Sequence, residues 1–311
     1  MQGARIVKPL RTRVYVDGYN LYYGCLKGTP YKWLDLLSLF ERRILPSVYL
    51  TDAQGCPGSF CLAAPPAIKF FTAKILQNVA RSSDSVSSQA RYYTALRKTY
   101  PDRVEVIEGY YAPNQMKVRV VNPAALHRAP RDCEEVQAWK VEEKQSDVNL
   151  ALHAFHDAMV GNVDQAVIVT NDTDIAPALK MIRGLTSVRI GLVVPTSRHQ
   201  RVPNTELASF AHWVRTHITQ AELSDCQLPR VILGRRTTVK PESWYARPNL
   251  LEKVLMAAIP ICGDRGKAFK WLETVNQHFG NKRPLDLLDT EAGMLEVVGY
   301  IRRWLNARGP A

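Results

Sequence analysis

The chain has 311 residues, 46% of them hydrophobic, with 41 Lys and Arg against 29 Asp and Glu and a formal net charge of +12. That length buries a full core and points to two domains rather than one. No run of about 18 apolar residues exists to span a bilayer, and residues 1–13 lead into no signal-peptide core, so a membrane partner is excluded and a cytoplasmic protein is expected. The basic balance favours a polyanion such as nucleic acid as partner.

Along the chain, short β-rich runs alternate with helical patterns. RVYVDGYN (13–20) is followed by WLDLLSLFERRIL, AIKFFTAKIL, SSQARYYTALRKTY and RVEVIEGYYA. A hairpin of MKVRVV and VQAWKV comes next, then SDVNLALHAFHDAMVG, QAVIVTND, DIAPALKMIRGL, VRIGLVVP and NTELASFA. This alternation predicts an α/β fold, a mostly parallel sheet with helices on both faces. Residues 51–66 are rich in turn formers and read as a surface insertion.

Around QLPRVILGRRTTVKPESWYARP the alternation stops and the chain becomes basic and proline-punctuated. Domain boundaries follow: 1–228 for the α/β domain, 229–248 for a basic linker, and 249–311 for a small all-α domain. Residues 230–311 hold 14 basic and 8 acidic residues, so the shorter part is the more densely charged. The six cysteines, Cys25, Cys56, Cys61, Cys133, Cys226 and Cys262, are scattered and suit free thiols. The CPGSFC pair finds no second Cys or His pair with which to complete a zinc site.

Carboxylates sit where strands end. Asp17 and Asn20 close the first strand, and Asp172 and Asp174 stand between QAVIVT and the next helix. Asp147 is the expected N-cap of a helix whose apolar stripe is Val148, Leu152, Phe155 and Met159. Each acid has a structural excuse as cap or turn. Three loops delivering carboxylates to one sheet edge would nevertheless repel one another, and a divalent cation such as Mg²⁺ or Mn²⁺ is the better account of the set. Such an ion activates water and stabilises the leaving oxygen of a phosphodiester.

These motifs, VYVDGYNLYYG, YKWLDL, FFTAKI, RYYTALR, EGYY, EEKQSDVNLA, TNDTDIAPAL and GLVVP, resemble the NYN domains of the PIN-like nuclease superfamily, in particular the LabA-like group. The likeness covers roughly residues 12–228. It implies a PIN-like, Rossmannoid fold and a metal-dependent ribonuclease that leaves 5′-phosphate and 3′-hydroxyl ends. It also implies Asp17, Asp147, Asp172 and Asp174 as metal-binding carboxylates, with Asn20 beside them and Thr170 and Asn171 orienting phosphate or water.

Lys144, one helical turn before Asp147, is either a phosphate contact or a solvated lysine. Arg91 and Arg97 read as a solvated face, and His153 and His156 as surface residues. Tyr19, Tyr22 and Tyr23 are either base-stacking or packing residues, with packing the commoner role so near a strand end.

In the last domain, PLDLLDTEAG (284–293) resembles the toxin-binding domain of the Xre, MbcA and ParS antitoxins. The terminal RRWLNARGPA departs from that family's usual ending. The resemblance implies self-association, most simply a dimer, or docking onto another protein. Leu251, Leu255, Trp271, Leu272, Leu287, Leu288, Leu295 and Trp304 are more apolar residues than so small a domain is expected to bury. The competing reading of the whole chain is a non-catalytic RNA-binding or antitoxin-like regulator.

Overall fold

The computed structural model describes residues 8–48, 58–80, 82–197 and 201–308. Cys56, residues 51–57 of the expected insertion and the last three residues of the tail lie outside these. The chain divides into two compact units, Met1–Lys27 with Trp33–Lys240 and Gly28–Lys32 with Pro241–Ala311.

The first unit is built on an eight-stranded sheet. Its strands are β1 (Leu10–Asp17), β2 (Phe60–Leu62), β3 (Ile68–Lys74), β4 (Val104–Arg119), β5 (Glu135–Lys144), β6 (Gln165–Val169), β7 (Arg189–Val193) and β8 (Trp213–Arg215). The order is β5-β4-β3-β1-β6-β7-β8, with β2 pairing the first residues of β1, and every pair is parallel except β4 with β5. The helices are α1 (Gly18–Leu21), which runs on through Tyr22–Leu26, α2 (Leu36–Ser38), which runs on to Ile44, α3 (Ser85–Thr99), α4 (Ser146–Met159), α5 (Ala176–Leu185), α6 (Thr205–Phe210) and α7 (Gln220–Asp225).

Two adjacent phenylalanines show how helices come to lie on both faces. Neighbouring side chains of a strand point to opposite sides. Phe70 meets Tyr92 and Tyr93 of α3, whereas Phe71 meets His153 of α4. The α4 side continues through Leu150, Ala154, Leu179, Ile182 and Ile190 into one buried core.

Several local expectations change. MKVRVV is not a separate strand: its first four residues, 116–119, end β4, which runs unbroken for 16 residues and pairs with β5 from Tyr110↔Lys144 to Arg119↔Glu135, and Val120 and Val121 lie beyond it. The described end of the 51–66 insertion contributes β2 to the sheet. The 229–248 stretch carries a small hairpin, β9 (Val231–Ile232) with β10 (Thr238–Val239), and a turn at Glu242–Trp244.

Of the stripe expected to bury α4, Phe155 packs half-buried against the core, but Val148, Leu152 and Met159 are exposed, and Leu150, Ala154 and Ala158 are buried instead. Small alanines let the helix lie close to the sheet, and that contact outcompetes the bulkier stripe. His153 is no surface residue, since its Nδ1 lies 3.1 Å from Lys69 Nζ.

In the second unit α8 (Pro248–Cys262), α9 (Arg265–Leu272) and α10 (Glu291–Arg308) pack around Leu250, Leu251, Val254, Leu255, Phe269, Leu272 and Val297. Thr290 caps α10 by accepting from the amide of Gly293 at 3.1 Å. The apolar surplus is smaller than the pattern suggests. Leu251, Leu255, Leu272 and Leu288 are buried within the unit, and Trp271 and Trp304 line a cavity of about 140 Å³ with Tyr300. Leu295 is the member of that surplus that faces out, at 64% exposure. No helix of the described residues is long and apolar enough to cross a membrane.

Beneath the sheet, Asp157 of α4 is almost fully buried and its Oδ2 receives Arg13, Lys69 and the hydroxyl of Tyr15, each at 2.8 Å. Burial opposes its charge, but the hydrogen bonds from Lys69, Arg13 and Tyr15 outweigh burial and hold the carboxyl at about 2. A depressed carboxyl stabilises the fold above its unfolded value, near 4, and that stabilisation is lost as pH falls toward 2. Asp157→Asn leaves two buried cations without their anion and is expected to cost about 3–5 kcal/mol, read as a lower urea midpoint at neutral pH.

Candidate functional site

The chain reverses direction across its sheet at β1. It first builds outward through β3 and β4, then returns by α4 to place β6 on the other flank of β1. Such a switch point leaves a crevice at the carboxyl ends of the strands. The parallel register ends at Val16↔Val169, so Asp17 and Thr170 emerge side by side.

Asp17 is 2% exposed and held from three directions. Its Oδ1 accepts the amide of Asn20 at 2.9 Å, and its Oδ2 accepts Asn20 Nδ2 at 2.6 Å and the Thr170 hydroxyl at 2.7 Å. Burial raises its pKa against these bonds, with the charge of Asp172 adding to the rise. Gly18 is what allows α1 to begin here, since a Cβ would stand 2.6 Å from the Phe71 carbonyl oxygen of β3.

Thr170 also accepts the amide of Asp172 at 3.1 Å, so one hydroxyl links the two acidic loops. Asp172 in turn caps the Thr173–Ile175 turn by accepting the Asp174 amide. Asp174 stands exposed at the rim.

Asp147 enters from the first turn of α4, where the N-cap position belongs to Gln145 (φ 74°) rather than to Asp147 itself. Its carboxyl is pushed up to about 7, by burial first and then by Asp17, Asp172, Glu143 and Asp174. The crowding expected of three loops is therefore present, with Glu143 as a further member. Glu143 hydrogen-bonds Ser146 and receives the Tyr111 hydroxyl at 3.2 Å, and burial raises its pKa, with Asp17 contributing. Its signal in the sequence was strand alternation: Glu142 shares a face with Lys140 and Lys144, which turns Glu143 the other way.

Three residues expected to contact substrate have partners within the protein. Thr170 is fully buried and positions Asp17. Asn171 ties down a neighbouring loop through the Val202 carbonyl at 3.2 Å and the Asn204 amide at 2.9 Å. Lys144 ends β5 instead of lying on a helix, and pairs with Glu142 at 2.6 Å. Arg97 pairs with Glu108, away from any phosphate role.

An all-carboxylate set with mutual repulsion and hydrogen-bonded backing matches the chemistry of a hard cation. Among the described residues, no three acidic, His or Cys side chains are disposed to ligate one ion together. The gathering is electrostatic, short of a closed coordination shell.

The profile of the NYN domain family matches residues 11–211. The chain belongs to the NYN family. Beyond its NYN domain, residues 257–306 match the antitoxin Xre/MbcA/ParS C-terminal toxin-binding domain. A Pseudomonas putida protein named 6-hydroxy-3-succinoylpyridine 3-monooxygenase HspA is 61% identical over 305 residues, 98% of each chain. The antitoxin Xre of Yersinia enterocolitica is 42% identical over 52 residues, 16% of this NYN protein and 35% of the antitoxin. A solved structure of a Vibrio parahaemolyticus protein of unknown function overlaps 71% of this chain and 98% of its own, at 13% identity and a TM-score of 0.36.

A carboxyl whose pKa is raised on folding binds its proton more tightly in the folded state, so stability falls as pH rises from about 4 to about 7. In chelator, the thermal midpoint is expected to decline over that range in the wild type. Asp147→Asn should flatten the decline and raise the midpoint at pH 8.

Proposed function

We propose that the NYN unit is a metal-dependent ribonuclease, cutting RNA internally to leave 5′-phosphate and 3′-hydroxyl ends. The observation that carries this reading is the gathering of Asp17, Asp147, Asp172, Glu143 and Asp174 at the switch point, near enough for their charges to act on one another. Mg²⁺ or Mn²⁺ would have to draw Asp17, Asp147 and Asp172 closer than they stand to be held by all three, with Asp174 at the rim. The cation would supply activated water and charge relief at the leaving oxygen.

The chain's own residues do the rest. Asn20 and Thr170 fix the orientation of the Asp17 carboxylate. Asp147, pushed up by burial and by its acidic neighbours, would release its proton as the cation binds. The net charge of +12 draws the polyanion to the protein.

The name of the Pseudomonas relative favours a second reading, oxygenation of a hydroxylated pyridine at the same crevice. Insertion of one oxygen atom from O₂ requires a two-electron donor, which the assay must supply. The second unit is read as a docking module for a protein partner, a toxin or a second copy, with exposed Met256, Leu295 and Leu305 as its apolar contacts.

Two assays on one preparation separate the enzymatic readings. Labelled RNA is incubated with Mg²⁺, Mn²⁺ or chelator, and 6-hydroxy-3-succinoylpyridine is incubated with O₂ and a reduced nicotinamide. RNA cleavage abolished by chelator, without pyridine turnover, is the expected result; the reverse selects the oxygenase. Asp172→Asn should lower cleavage by at least about 100-fold while RNA binding stays unchanged or tightens, because loss of a ligand costs no less than loss of its supporting shell. Light scattering at micromolar concentration should show a dimer that Leu295→Glu converts to monomer; a wild-type monomer leaves the surface to a different protein.

A further inference from the structure

The second unit holds a cavity of about 140 Å³ that lies apart from Met256, Leu295 and Leu305, the apolar residues offered for docking. Ala258 and Cys262, near the end of α8, form one side of it, Trp271 of α9 the next, and Tyr300 and Trp304 of α10 the third. The three large rings are half-buried, so a solute can reach them from water.

The aromatic wall is held in place by its own neighbours. Trp271 and Tyr300 lie nearly parallel, 11° apart with ring centroids at 6.2 Å, and Tyr300 is backed by His278 at 4.5 Å and Phe279 at 5.2 Å. A space that cannot close leaves its lining without partner atoms, at a cost in stability that a guest offsets. Water is a poor guest, because the lining side chains are almost wholly apolar and a held water needs several polar partners. A cation is a poor guest as well. Aromatic rings alone attract an ammonium, but no acid lines this wall, and Arg303 Nη2 stands 3.2 Å from His278 Nε2, which puts positive charge beside it.

We propose that this cavity is a binding site for an uncharged, single-ring aromatic compound. An apolar cavity of about 150 Å³ stays dry and accepts benzene, so the volume here suits one ring. Trp271, Tyr300 and Trp304 supply ring faces and edges, which attract a further ring beyond its buried area alone. Ala258, 1% exposed, leaves the space that a longer side chain would fill. Every lining residue belongs to the second unit, so the site is independent of the chemistry at the acidic centre.

The test uses the full chain, with phenol as the probe and titration calorimetry as the readout. Phenol should bind one to one with a dissociation constant of about 1 mM or tighter. At about ten times that constant it should slow alkylation of Cys262 by N-ethylmaleimide about tenfold, followed by peptide mass spectrometry. Benzylammonium should bind at least about tenfold more weakly than phenol. Ala258→Leu, which fills the cavity, should weaken phenol binding at least about tenfold and leave the ligand-free thermal midpoint unchanged or higher. Trp304→Ala, at a half-exposed position, should weaken it about tenfold, and decides the matter with Cys262 protection if Ala258→Leu does not fold. Absence of both heat and Cys262 protection overturns the proposal, as does a folded variant that binds phenol like the wild type, which places the ligand elsewhere. Benzylammonium bound as tightly as phenol overturns the choice of an uncharged ring. Cys262 protection that rises with protein concentration and ignores phenol also overturns it, in favour of a side chain from a second copy.

Discussion

The pairing of β1 with β6 is the constraint on which the acidic centre depends. Because Val16 is set against Val169, the two residues that leave the sheet together are Asp17 and Thr170, and the threonine hydroxyl spans the gap. Side chains of a strand alternate between faces, so a slip of one residue would carry Asp17 to the wrong side of the sheet. Thr170 then fixes the next loop as well, through the amide of Asp172. A single small polar side chain thus translates strand register into the relative position of two carboxylates.

The same sheet buries carboxylates in two opposite ways. Asp157 is surrounded by Arg13, Lys69 and Tyr15, and its charge is secured. Asp17 is backed by the neutral donors Asn20 and Thr170, and Asp147 is faced by further acids. The first arrangement stabilises the fold. The second leaves unfavourable charge where a ligand can relieve it, the pattern that marks functional sites more often than structural ones.

The layered α/β fold and the acid-bearing strand ends were legible because both rest on local pattern: apolar runs that stop at Asp, Gly and Asn. What lay beyond reach depended on tertiary choice. On α4 two stripes compete, and the sequence favours Val148, Leu152 and Met159 by bulk, whereas the sheet accepts Leu150, Ala154 and Ala158 because they allow closer approach. Asn171 looks like a ligand residue by its place in TNDTD, yet its carboxamide is spent on a loop some thirty residues on. Alternation sets Glu143 opposite Lys140, Glu142 and Lys144, but which of the two faces meets the acidic centre follows only once β4 is known to be one long strand beside β5.

That long strand has a mechanical consequence. From Tyr111 to Arg119, β4 has only β5 beside it, and Gln115, Met116, Lys117, Trp139 and Lys140 all meet water. A two-stranded ribbon of this kind has little stability of its own. It frays from its tip and exchanges its amide hydrogens far sooner than the sheet does. The fraying halts at Tyr110, where β3 joins the ladder, so the Tyr111↔Glu143 pair is the first rung of the ribbon beyond that clamp. The ribbon can therefore flex like a bristle clamped at its base, with Glu143 on the first free rung beside the clamp.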